Sequence, residues 1–226
     1  SAEGVLRPTE LDLLWESDSY VPPFYRGRAL PSAGSSVRLF ALPRFKRVGG
    51  ASFVSADELI YTWRKNNKIA QSASGRGKQT ALLGSPALFG SDTVSVEVRT
   101  MDGTLRGFSS VRIPSVEPSL SLYENHPVFG TLYHRALATE SYVPEVETVF
   151  SVAPYFAPVR NPDDSFLQYE WRVNGTRIES SPAKPSTLTI NAEGSTGHAL
   201  IEVVLIHATN FFLSAGGAWN ITFGTS

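Results

Sequence analysis

Cysteine is absent from all 226 residues. This excludes disulfides, thiolate metal sites and cysteine nucleophiles together. In exported sandwich domains a disulfide-free core points to a bacterial rather than an animal setting, and the expected location is extracytoplasmic. Long apolar runs are missing too. No stretch approaches the about 18 apolar residues that cross a bilayer as a helix, so no membrane span is expected. Charge of one sign is not in excess, because 20 Lys and Arg face 21 Asp and Glu for a net of −1. Nucleic acid and anionic membranes demand a strong basic excess, so neither is an expected partner. The four histidines, His126, His134, His198 and His207, show neither HExxH nor metal-ligand spacing and read as loop or surface residues. Gly-x-Ser-x-Gly, Walker and GxGxxG signatures are lacking, so no enzyme, no catalytic residue and no cofactor is expected. Asp57-Glu58 and Asp163-Asp164 offer too few oxygens for calcium and read as solvated loop ends, leaving no metal residue.

What the chain does contain is a repeat. Ser19-Tyr-Val-Pro22 recurs as Ser141-Tyr-Val-Pro144, and Leu59-x-Tyr61-x-Trp63-Arg64-x-Asn66 recurs as Leu167-x-Tyr169-x-Trp171-Arg172-x-Asn174. The separations fall from 122 to 108 residues along the chain, as expected of one fold written twice with longer loops in the first copy. Residues 1 to 118 hold 15 basic and 11 acidic residues, whereas 119 to 226 hold 5 and 10. The halves therefore carry opposite net charge, a pattern suited to head-to-tail self-association.

Leu59, Tyr61 and Trp63 alternate with Ile60, Thr62 and Arg64, and Leu167, Tyr169 and Trp171 do likewise. A period of two is a strand with three large side chains on one face. Asn66-Asn67 and Asn174-Gly175 follow, residues that tolerate the positive φ of two-residue hairpins. This turn is also the better reading of the sequon at Asn174. Val37 to Phe45 matches Val149 to Phe156, and Val94, Val96 and Val98 match Ala199, Ile201 and Val203. Met101-Asp-Gly103 is a hairpin signal before Val111-x-Ile113, which corresponds to Trp219-x-Ile221. Leu11, Leu13 and Trp15 alternate as an opening strand. Each copy thus holds six or seven short strands, and Pro114-Ser-Val-Glu-Pro118 is a stiff spacer between them.

The Tyr-x-Trp strand with its polar turn, in both copies, resembles the immunoglobulin-like and PKD-like sandwich modules of bacterial surface proteins. The chain differs from antibody-type domains in lacking both cysteines, and from typical PKD repeats in lacking their Asp-Phe-Gly-Asp-Gly turn. The segments Leu14 to Tyr25 and Glu117 to Pro127 are similar to uncharacterised exported proteins of ultrasmall candidate-phylum bacteria, a likeness that carries no activity with it. The resemblance implies an all-β chain of two tandem immunoglobulin-like β-sandwiches. Domain 1 spans 1–116 with a long N-terminal segment, and domain 2 spans 117–226. It also implies Trp63 and Trp171 in the two cores, and a non-enzymatic structural or adhesive module of a bacterial surface or appendage.

Partner residues are sought on strand faces. Opposite Val94, Val96 and Val98 lie Ser95, Glu97 and Arg99, a solvated face, but the matching positions of the second copy are Leu200, Glu202, Val204 and Ile206. A cover over that apolar face is expected. Phe211, Phe212 and Leu213 replace a short polar hairpin of the first copy, and with Leu200, Val204 and Ile206 they form the candidate partner contact. The partner expected is a protein or glycan surface, or a second copy in a self-assembling fibre or lattice. For carbohydrate binding, Tyr20, Tyr25, Tyr142 and Tyr155 are the candidate stacking platforms.

Overall fold

The computed structural model describes residues 10–47, 49–50, 52–145, 147–192, 197–210 and 213–224. The chain divides into two compact units, Ser1–Ser17 with Ser36–Ser115, and Asp18–Ser35 with Val116–Ser226. Among the described residues there is no α-helix, and no helix long and apolar enough to cross a membrane.

The first unit contains β1 (Glu10–Ser17), β2 (Ser36–Arg44), β3 (Ile60–Lys65), β4 (Lys68–Ile69), β5 (Gly75–Arg76), β6 (Thr80–Gly84), β7 (Ser91–Arg99) and β8 (Arg106–Pro114). They form one sheet in the order β1-β2-β6 and another in the order β4-β3-β7-β8, with β5 added beside β3. The second unit contains β9 (Ser119–His126), β10 (Gly130–Ala136), β11 (Glu140–Val143), β12 (Glu147–Tyr155), β13 (Leu167–Val173), β14 (Thr176–Ile178), β15 (Thr187–Asn191), β16 (Gly197–His207) and β17 (Ser214–Phe223). Its sheets run β10-β9-β12-β15 and β11-β17-β16-β13-β14. The strand order of each unit is that of an immunoglobulin-like sandwich, so the chain is two such sandwiches in tandem. The strands exceed the six or seven expected per copy because two-residue strands flank β3 and an extra hairpin arm, β10, is added to β9.

The repeated strand forms for the reasons its sequence gives. In β3 and β13 the large residues share one face, and Trp63 and Trp171 are fully buried. Each indole N–H donates to a backbone carbonyl at 2.9 Å, Trp63 to Lys78 and Trp171 to Pro185. A buried donor is thereby satisfied without disturbing the apolar contacts. Asn66 and Asn67 stand at φ 50° and 64°, and Asn174 and Gly175 at 49° and 78°, the double positive φ of a type I′ turn. The two asparagines also make the same reciprocal bond. Asn66 accepts from Thr93 N at 2.9 Å and returns its own N–H to Thr93 O at 2.9 Å, while Asn174 does this with Leu200 at 2.8 and 2.9 Å. At the other predicted hairpin, the Thr100 hydroxyl and then the Thr104 N–H and hydroxyl hold the Asp102 carboxyl down at about 2.

The core of the second unit joins Phe150, Val152 and Leu122 of one sheet to Trp171, Ile201, Val203 and Trp219 of the other. In the first unit Val37, Leu39, Ala41 and Ala81 of one sheet, and Trp63, Val94, Val96 and Ile113 of the other, are all at most 1% exposed. Residues 18–35 are placed with domain 1 by the sequence division at 116/117, and the unit that holds them is the second. Tyr20 N donates to Ala157 O at 2.8 Å, and Phe156 N donates to Tyr20 O at 2.7 Å. The Tyr20 side chain is buried with Tyr123, Ala153, Ala157, Val159 and Leu205.

Candidate interaction surfaces

The outer face of β1-β2-β6 is apolar at its centre. Counting away from buried Trp15, Leu39 and Ala81, the outward positions are Glu10, Asp12, Leu14 and Glu16 on β1, Arg38, Phe40, Leu42 and Arg44 on β2, and Thr80 and Leu82 on β6. The register sets Leu14 opposite Phe40, Asp12 opposite Leu42, and Leu82 opposite Arg38. Leu14 is 51% exposed, Leu82 64%, Leu42 39% and Phe40 36%. Ion pairs close the two ends, Arg38 with Glu16 at 3.1 Å, and Arg44 with Glu10 at 3.0 Å and with Asp12. An apolar centre inside a charged rim is how an interaction face is built. Sequence reasoning passed over it, although the signal is present. Leu13-Leu-Trp15, Leu39-Phe-Ala-Leu42 and Ala81-Leu-Leu83 are apolar on both faces of their strands, unlike the alternating Val94-Ser-Val-Glu-Val98.

The corresponding sheet of the second unit is covered. Tyr133 of β10 meets Tyr123 edge-on with ring centres 5.4 Å apart, and the Tyr123 and Tyr155 hydroxyls are 2.6 Å apart. Tyr20 hydrogen-bonds to Tyr133, and burial first and that bond second push its hydroxyl far above the usual tyrosine range. Tyr25 sits edge-on to Tyr155 at 5.6 Å and to Phe156 at 6.0 Å. Beside this tyrosine layer is a polar groove of about 160 Å³, whose lining includes Tyr133, Asn125, Thr131, Ser151, Asp163 and Lys184. Asn125 Nδ2 donates to Ser151 Oγ at 3.2 Å.

The predicted contact residues are not brought together as one patch. Val204 and Ile206 are exposed at 43% and 38%, Leu200 is half-buried, and Leu213 is buried at 2%. No cover lies over Val204 and Ile206 among the described residues. Phe211 and Phe212 lie outside the described residues. Of the four tyrosines considered as sugar platforms, Tyr20 is buried at 7% and cannot stack on a ligand, while Tyr25 and Tyr142 are exposed at 37% and 56% and Tyr155 is half-buried. Ser95, expected on a solvated face, is 8% exposed, and Glu97 beside it is half-buried and paired with Arg106 at 2.9 Å.

The second acidic pair is taken up by loop hydrogen bonds. Asp163 Oδ1 accepts from Ser186 N at 3.0 Å and Ser186 Oγ at 2.6 Å, and Asp164 Oδ1 accepts from Phe166 N at 3.0 Å. His207 Nδ1 accepts from Thr209 N at 3.2 Å and Asn210 N at 3.0 Å, with its ring stacked 5.6 Å from Phe166. Burial lowers the proton affinity of His207, against the opposing field of Asp164. Among the described residues no three ligating side chains gather closely enough to hold a metal ion.

No protein-family model matches the chain, and no curated protein does. Among solved structures it is similar to three N-terminal domains of the highly immunogenic outer capsid protein of bacteriophage RB49, with 15% identity and a TM-score of 0.45 over 96% of this chain and 59% of that one. It thus spans less than two thirds of that phage chain. The fibronectin(III)-like modules of Clostridium thermocellum CbhA are matched at 14% identity and a TM-score of 0.29, over 93% of this chain and 94% of that one. The Bacteroides ovatus protein SGBP-B, solved in complex with a mixed-linkage heptasaccharide, is matched at 14% identity and a TM-score of 0.27, over 94% of this chain and 47% of that one. At these scores the fold assignment stands on the strand order of the two units.

Proposed function

We propose that the chain is a non-enzymatic structural or adhesive module that works outside the cytoplasm, on a bacterial surface or appendage, through its sheet faces. The observation that carries this reading is the apolar face of Leu14, Phe40, Leu42 and Leu82 within its rim of ion pairs. The absence of cysteine supports the location. The test is retention of the purified chain on bacterial envelope particles, with wild type compared against Leu14→Ser/Leu82→Ser. These exposed positions contribute little to folding, within about 0.5 kcal/mol each. The double variant is expected to keep its melting temperature and lose retention; equal retention of both proteins would sink the reading.

Carbohydrate binding is a second reading, favoured by the polar groove. Amide, hydroxyl and carboxylate groups beside a tyrosine ring are what a hydroxylated ring requires. Glycan-array binding that Tyr133→Ala abolishes would support it, and a blank array would remove it.

A further inference from the structure

The hairpin between β16 and β17 closes on a histidine ring. His207 Nδ1 accepts from Asn210 N at 3.0 Å and from Thr209 N at 3.2 Å, and the Thr209 hydroxyl stands 3.4 Å away. Backbone N–H groups only donate, so Nδ1 is the unprotonated nitrogen and the ring proton sits on Nε2. The ring is fixed by its stack on Phe166, with 2° between the planes, and Ala208 N donates to Phe166 O at 2.8 Å. From this side Asp164 is the charged group that acts on the ring, its own carboxyl accepting from Phe166 N at 3.0 Å. Residues 208–214 of the hairpin and 29–35 of the excursion contain no charged residue.

Asn210 carries this geometry to a distant part of the chain. Its side-chain Nδ2 donates to Ala33 O at 2.8 Å, across 177 residues. Ala33 lies in the turn Ser32–Ser35, where Ser35 N and Ser35 Oγ both donate to Ser32 O, at 3.1 and 2.6 Å. Gly34 of this turn stands at φ 96°, and a Cβ on it would come within 3.0 Å of Asn210 Nδ2. The conformation and the close approach both call for glycine. Two residues earlier Pro31 O accepts from Val116 N at 3.0 Å, so what Asn210 holds is the turn itself and not the whole excursion.

We propose that His207 is an acid-opened latch on the Ser32–Ser35 turn, from which the chain passes back to the first unit. Protonation at Nδ1 replaces the acceptor with an N–H that faces two backbone donors. Neither bond survives this, Asn210 is no longer held, and Ala33 O loses its donor. The sign of the pH dependence follows. Burial keeps the proton affinity of the ring below the ordinary value near 6.5, against the field of Asp164. The folded chain then binds fewer protons than the unfolded one, so the latch is closed above that ordinary value and opens as the pH falls through the lower, folded one. The latch shares no residue with the apolar face or the polar groove, so it stands or falls alone.

Amide hydrogen exchange of the full chain by NMR at pH 7.5 and pH 5.0, corrected for the intrinsic pH dependence of exchange, tests it. The Thr209 and Asn210 amides are expected to lose protection by at least about tenfold at the lower pH, since one proton moves such an equilibrium about tenfold per pH unit. Ser35 should follow, and Tyr20 should not change. The imidazole 15N shifts should show Nδ1 of His207 taking up its proton over the same range. His207→Asn keeps a side-chain acceptor for the same N–H groups without titrating, so its hairpin should stay protected at both pH values. Asn210→Ala should leave Thr209 acid-sensitive and Ser35 unprotected throughout. Equal protection of Thr209 and Asn210 at both pH values overturns the inference, as does acid opening that persists in His207→Asn or runs out of step with the His207 titration. Opening of the hairpin with Ser35 still protected overturns the latch as well.

Discussion

The three strands β1-β2-β6 and the three strands β9-β12-β15 are the same frame, and their outer faces have opposite fates. In the second unit that face is roofed by Tyr133 and Tyr20, and the hydroxyls of Tyr123 and Tyr155 meet beneath them. In the first unit Leu14, Phe40, Leu42 and Leu82 stand in solvent. The difference is made by additions, not by the strands: β10 and residues 18–35 both contribute to the second unit. What a repeated fold does therefore depends on which copy its insertions join.

The largest test of this comparison is at the two indoles. Trp63→Ala and Trp171→Ala each remove a fully buried ring and its hydrogen bond, at a cost of roughly 3–5 kcal/mol. With domain stabilities of about 5–15 kcal/mol, each variant should bring down the melting of its own unit in differential scanning calorimetry and leave the other transition in place. A single transition that shifts as a whole in both variants would break the two-unit picture. Next in size is Tyr20→Ala. Although Tyr20 lies between β1 and β2 of the first unit in sequence, its loss should lower the melting of the second, by about 3 kcal/mol on the scale of buried aromatics. A shift confined to the first unit would reverse the assignment.

The smallest test sets Tyr61 against Tyr169, the same position in the two copies. The Tyr169 hydroxyl donates to Pro162 O at 2.6 Å, whereas the Tyr61 hydroxyl is buried without a partner among the described residues. Tyr169→Phe should cost about 1 kcal/mol, and Tyr61→Phe should be neutral or stabilising. Burial, then the nearby Asp57 charge, push the Tyr61 hydroxyl up to about 12 from 10. Its folded-state proton is held more tightly than its unfolded one, so its contribution is complete below pH 10 and is lost as the pH climbs towards 12. Denaturant melts at pH 9 and pH 11 should show a fall in the first unit that Tyr61→Phe reduces; an identical fall in both proteins would discard the assignment.

Much of the fold was legible because it rests on short-range rules. Alternation around Tyr61-x-Trp63 and Tyr169-x-Trp171, and the positive-φ turns at Asn66 and Asn174, are local facts of sequence that the structure repeats almost bond for bond. The Ser-Tyr-Val-Pro repeat misled by the same logic. Ser141 to Val143 lie in β11, which runs parallel to β17 and takes Gly224 N on Val143 O at 3.1 Å. The bond 108 residues earlier, Val116 N to Pro31 O at 3.0 Å, lies within the second unit and does not involve Val21. Ser19 to Pro22 is instead drawn to Phe156 and Ala157. No local pattern reveals a partner more than a hundred residues away.

The excursion of residues 18–35 also changes what a cut does to the molecule. The backbone passes from one unit to the other at 17/18, at 35/36 and at 115/116, so the two are laced by three crossings rather than hung on one thread. A protease that severs the chain at 115/116 leaves fragments still holding each other through Tyr20 and its bonds to Phe156 and Ala157. A nick there is expected to leave a split protein that stays assembled.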